Sequence, residues 1–130
     1  MEINLFLNED QNVGTNSINI LDLDTDVLDG SCTKITAINV LDYVDKQTYL
    51  PIIAKKMRHG CQLTIECVDL FDVALQIVDG SKFEVKKYLF DGRHSVHNEV
   101  DVVEFLKDMG LKVLSRKTSN YKFSLIVERP

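Results

Sequence analysis

The chain has 130 residues, enough for one hydrophobic core without disulfides or a metal to hold it together. Its 45% hydrophobic and 27% charged residues are ordinary globular usage, and no stretch reaches the roughly 18 apolar residues of a membrane-spanning helix. The net charge of −5 is uneven: residues 1–81 carry 13 acids and 5 bases, whereas residues 82–130 carry 7 acids and 10 bases, which argues against a general nucleic-acid binder.

Met1-Glu2-Ile3-Asn4 has neither the basic flank nor the cleavage pattern of a secretory signal. Cys32, Cys61 and Cys67 form no even framework and no metal-ligand spacing, so a reducing, cytoplasmic setting without a metal is expected. Cys61 and Cys67 fall in a strand pattern and read as small buried hydrophobes.

Ile3–Leu7 predicts a first strand, and the polar residues 8–16 follow as a turn-rich passage. Ser17–Leu21 predicts a second strand, ending in the acidic stretch Asp22-Leu23-Asp24-Thr25-Asp26. Asp29-Gly30-Ser31 is a turn before a third strand, Lys34–Val40, whose Ile35, Ala37 and Ile38 suit a sheet covered on both sides. A helix over 49–58 has Thr48 as N-cap, Pro51 fixing its start, and Tyr49, Ile52, Ile53 and Met57 as its buried stripe. Lys55, Lys56 and Arg58 face water or the helix C-terminus, and Gly60 stops the helix.

Leu63–Val68 predicts a fourth strand, and Asp69 caps a short helix carrying Leu70, Val73, Ala74 and Ile77. Residues 83–90 are ambiguous between extended chain and helix, with their β-branched and aromatic content favouring extended, and Lys82, Lys86 and Lys87 read as a solvated face in preference to a local basic patch. Asn98 opens a further helix with Val102, Val103, Leu106 and Met109 buried and Gly110 at its end. Residues 111–115 and 121–127 form an antiparallel hairpin around Arg116–Asn120. No linker or repeat divides residues 1–130, so a single α/β domain is expected, with a mostly parallel sheet and one antiparallel edge. The first passage is short: a parallel crossover takes about a dozen residues or more. Either an irregular loop makes it, or the first two strands are not parallel neighbours.

Several segments in order carry a likeness to a known family. Asp29-Gly30-Ser31-Cys32-Thr33-Lys34-Ile35-Thr36-Ala37-Ile38-Asn39-Val40-Leu41-Asp42-Tyr43 is similar to D-x-S-x-D-x-I-x-A-x-x-V-L-E-H. Lys56-Met57-Arg58-His59-Gly60-Cys61 and Cys67-Val68-Asp69-Leu70 resemble L-K-P-G-G and V-P-D-L, and Phe90 to His97 resembles F-G-x-x-x-x-x-H. These are features of small class I S-adenosylmethionine-dependent methyltransferases, and the likeness spans nearly the whole chain. It implies a minimal Rossmann-like methyltransferase fold, S-adenosylmethionine as cofactor, no metal, and a saccharide or other small-molecule acceptor. Nothing in it points to nucleic acid or membrane.

Carried over by position, Asp22 or Asp24 accepts the ribose hydroxyls, with Asn8, Asp42 and Tyr43 lining the cofactor site. Asp69 borders the acceptor and His97 is the candidate base. The bland readings stand beside these: Asp22 and Asp24 as a solvated strand end, Asp42 and Asp69 as caps, Tyr43 as edge packing, and His97 as a solvent-facing ring. His94 and His97 have no carboxylate–histidine constellation to complete a metal pair. The departure lies in Asn4-Leu5-Phe6-Leu7-Asn8-Glu9-Asp10, where Phe6 to Asn8 replace the family's G-C-G. It implies reduced or lost catalysis and a structural role, as a homo-oligomer or within a protein complex. The alternative is an active methyltransferase with a rebuilt cofactor site.

Overall fold

The computed structural model describes residues 1–7, 16–78, 98–119 and 121–130. Six strands make one sheet: β1 (Glu2–Phe6), β2 (Ser17–Asn19), β3 (Cys32–Ile38), β4 (Met57–Val68), β5 (Lys112–Ser119) and β6 (Lys122–Glu128), in the order β2-β1-β3-β4-β6-β5. The pairs β1–β2, β1–β3 and β3–β4 are parallel, while β4–β6 and β5–β6 are antiparallel. The expected mostly parallel sheet with a C-terminal antiparallel hairpin is therefore present. The first two strands are parallel neighbours, so the short passage between them is a parallel connection. The expected extended segment at 83–90 lies outside the described residues.

The helices are α1 (Leu23–Asp26), α2 (Lys46–Lys56), α3 (Leu70–Val78) and α4 (Glu99–Asp108). Along the strands, Ile3, Leu5, Ile35, Ala37, Leu63, Ile65, Phe123, Leu125 and Val127 alternate onto one face and are buried with Leu23, Leu50, Ile53, Val102, Val103 and Leu106. Cys32, Cys61 and Cys67 join this core as free thiols. Burial pushes the Cys61 thiol up to about 11, so it behaves as a small core side chain rather than a nucleophile.

Several boundaries differ from the sequence reading. The second strand ends at Asn19, because Asn19 Oδ1 accepts the Leu21 N–H at 2.9 Å and turns the chain into a 3-10 helix over Ile20–Asp22. The third strand ends at Ile38, since Asn39 takes the left-handed conformation with φ 58°. The cap of α2 is Asp45 rather than Thr48: its carboxylate accepts from Gln47 N at 3.1 Å and from the Thr48 hydroxyl at 2.8 Å. Pro51 consequently lies inside α2 and not at its start.

Gly60 stops no helix. It has φ 83° within a long β4, where β3 advances from Cys32 to Lys34 while β4 advances from Met57 to Gln62. Its N–H donates to Arg129 O at 2.6 Å, and Arg129 N–H donates back to Cys61 O at 3.0 Å. The hairpin loop is also tighter than Arg116–Asn120. β5 continues to Ser119, which pairs with Lys122, and Tyr121 supplies the positive φ that a two-residue turn needs.

The coverage of the sheet is the largest correction. Ile35 and Ala37 are fully buried, but Ile38 is 44% exposed, and its face carries Glu2, Asn4, Lys34, Thr36, Gln62, Thr64 and Glu66. Among the described residues this second face is polar and reaches solvent, whereas parallel sheets are usually covered on both sides. In α3, Val73 is buried while Leu70 and Ile77 are nearly half exposed, so the expected apolar stripe is buried only in part.

Candidate ligand crevice

The chain leaves β1 for β2 on one side, whereas β3 lies on the other, which makes the β1–β3 junction a topological switch point. In open α/β sheets, ligands bind outside the C-terminal ends of the strands at such a point. Across this edge, in spatial order, lie the residues after β2 (Ile20–Asp22), Leu7 after β1, Asn39–Tyr43 after β3, Asp69 after β4, and Tyr121 before β6.

Backbone and side-chain hydrogen bonds stitch the edge together. Asn39 N–H donates to Glu66 O at 2.9 Å, joining the ends of β3 and β4. A 3-10 helix, Leu41–Tyr43, places Asp42 fully out of solvent, with Oδ2 accepting the Val68 N–H at 3.3 Å. Asp69 is 4% exposed; its N–H donates to Tyr121 O at 2.8 Å, and its carbonyl accepts from Val73 N. Asp69 thus begins α3 and ties β4 to the hairpin. Tyr43 is half-buried beside Asp42, with its N–H on Val40 O at 3.1 Å.

The two β2-side acids part company. Asp22 is exposed just beyond β2, and its carbonyl accepts from the Thr25 hydroxyl. Asp24 instead meets Lys56, whose Nζ lies 3.5 Å from its carboxylate and 2.8 Å from that of Asp29. Lys56, expected to face water or the helix C-terminus, is the last residue of α2 and is 2% exposed. Its hydrogen bond to Asp29 raises its pKa despite the opposing cost of burial, and the same bond lowers the Asp29 carboxyl below the usual range. The crevice edge therefore brings together Asp22, Asp42, Tyr43 and Asp69, while Asp24 belongs to the α1–α2 contact. Asn8 and His97 lie outside the described residues.

Sequence reasoning missed Asn39, Tyr121 and Lys56. Asn39 had a signal, since Asn is one of the few side chains that tolerate left-handed backbone at a strand end. The end of β1 carries Phe6 on the polar face and Leu7 packed against the core. Among the described residues, no three His, Cys, Asp or Glu side chains gather as a metal site, and no helix is long and apolar enough to cross a membrane.

No protein-family model matches the sequence, and neither does any curated protein. Solved structures do match. A SAM-dependent methyltransferase from Thermotoga maritima superposes with a TM-score of 0.68 at 9% identity, covering 99% of this chain and 82% of that one. One from Archaeoglobus fulgidus gives 0.61 at 13% identity, covering 97% and 75%. A geranyl diphosphate methyltransferase in complex with SAM gives 0.60 at 11% identity, covering 98% and 68%. At these identities the likeness concerns the fold, which is Rossmann-like and methyltransferase-like.

Proposed function

We propose that this chain is a methyltransferase-like domain with reduced or lost catalysis, serving a structural or complex-forming role. The observation that carries the reading is the end of β1. A nucleotide-binding α/β fold lets its ligand approach backbone closely at the turn leaving the first strand, which calls for residues without a Cβ. Phe6 and Leu7 stand there, and Leu7 packs against the core. These residues do not fit a closely approached S-adenosylmethionine. Asp42 adds support, because its carboxylate is fully buried and its Oδ2 accepts the Val68 N–H, which ties it to the end of β4.

A second reading, active methyl transfer to a saccharide or other small acceptor, draws on the exposed Asp22 at the end of β2 and on Asp69 at the end of β4. In it Asp22 accepts from the ribose, Tyr43 lines the adenosyl site, Asp69 borders the acceptor and His97 serves as base. Isothermal titration with S-adenosylhomocysteine separates the two. Reduced or lost catalysis predicts no saturable heat up to millimolar ligand. Saturable binding that weakens at least tenfold in Asp22→Ala would establish the second reading instead.

A further inference from the structure

The polar face of the sheet carries a charge pattern with a symmetry of its own. Residues opposite one another on paired strands point to the same face. The registers Glu2↔Lys34, Lys34↔Gln62, Gln62↔Glu128 and Glu128↔Lys112 therefore lay one row of side chains across β1, β3, β4, β6 and β5. Glu2, Lys34, Gln62 and Lys112 are exposed and Glu128 is partly so. The signs along the row run minus, plus, neutral, minus, plus. Reversed about Gln62, the row becomes its own complement.

We infer that this face is a self-complementary contact surface on which a second copy of the chain docks, about a two-fold axis running along β4 over Gln62. Such an axis sets Glu2 against Lys112 of the second copy and Lys34 against Glu128 of the second copy. The two-fold repeats both pairs, giving four contacts of opposite sign around Gln62 facing Gln62. The adjacent row, Asn4, Thr36, Thr64, Ile126 and Ser115, is uncharged, so no like charges meet there. A depression of about 270 Å³ lined by Glu2, Asn4, Asn16, Lys34 and Thr36 lies where the stem of the second copy's Lys112 enters.

The third row limits the contact. Glu66 lies close to the axis, but it is directed to Lys122 at 3.7 Å. The axis also sets Glu66 against Glu66 of the second copy, a like-charge contact that pairing with Lys122 offsets, so the favourable contact is confined to the first two rows. Five strands at about 4.8 Å spacing and two rows give a patch well below the area of a standard stable interface, roughly 800 Å² per partner. The dimer is accordingly weak, fast-exchanging and sensitive to salt.

This contact supplies a partner for the complex-forming role proposed above, yet it does not depend on whether the crevice binds an adenosyl ligand. Sedimentation equilibrium of the full chain over a concentration series, without ligand, tests it at low and high salt. The expected result is concentration-dependent dimer at low salt, with association weakened about tenfold or more at half-molar salt. Lys34→Glu should weaken it by a similar factor, and adding Glu128→Lys to that variant should restore it, because the swapped signs again meet across the axis. Circular dichroism confirms that each variant is folded. A chain monomeric at every concentration, or a Lys34→Glu variant that associates like the parent, overturns the inference. A double variant that stays as weak as Lys34→Glu overturns it as well.

Discussion

Lys56 behaves least like its residue type. Lysines are almost never fully buried unless paired, and this one, at the end of α2, is buried while its ammonium meets two carboxylates that stand in water. Water screens both pairs, so replacing the ammonium while keeping the stem should cost little. Lys56→Met is expected to lower stability by about 1 kcal/mol, read from urea midpoints at neutral pH. The pH dependence has two arms. Asp29 is held below the ordinary carboxylate range, so its contribution is present at neutral pH and fades as pH falls through its folded pKa. Lys56 is held above the ordinary lysine range, so its contribution is present at neutral pH and fades as pH rises through its folded pKa. The Met variant should lose both arms, and a midpoint–pH profile unchanged from the parent would refute the assignment.

Pro51 poses the corresponding question for a whole helix. It lies six residues past the Asp45 cap, where it cannot donate to the Gln47 carbonyl four residues earlier. Pro51→Ala restores that donor and is expected to stabilise the protein by about 1–3 kcal/mol, visible as a higher melting temperature. A lower one would mean that the ring's packing outweighs the missing bond. Pro51 also shows where local reading fails. Proline normally marks a helix start, but a carboxylate that captures both Gln47 N and the Thr48 hydroxyl moves the start three residues upstream of the expected boundary. Gly60 misleads in the same way, because the pairing with Arg129 that keeps it in β4 comes from residues far along the chain.

By contrast, most of α4 is legible from signals within one helix: Asn98 caps Val100 N at 2.9 Å, and Val102, Val103 and Leu106 are buried, while Met109, expected with them, is only partly buried at the C-cap. Of the crevice, the positions of Asp42 and Asp69 at strand ends could be read from order alone. The bond that buries Asp42 could not, since its donor is 26 residues away.

On the scale of the whole molecule, the two faces of the sheet should respond differently to the same substitution. Ile65 and Thr64 are neighbours on β4, one fully buried against the helices and the other on the polar face. Ile65→Ala is expected to cost about 2–5 kcal/mol, the range for a truncated aliphatic core residue. Thr64→Ala should stay within about 1 kcal/mol, since Thr64 lies on the face that, among the described residues, is polar and reaches solvent. Chemical denaturation of the pair measures the contrast, and comparable losses would mean that the polar face is covered after all.

The position of β4 has a consequence for how the chain emerges during synthesis. Its neighbours are β3, made earlier, and β6, made last. Residues 69–121 must be translated before β6 appears, which takes about 3–10 s at usual rates. Through that interval the strand has one unpaired edge, with Leu63, Ile65 and Cys67 on it awaiting Val127, Leu125 and Phe123. A hairpin closes in about 1–10 μs once its residues are free. β5 and β6 can therefore arrive as one preformed unit, ending the exposure of the nascent chain in a single step.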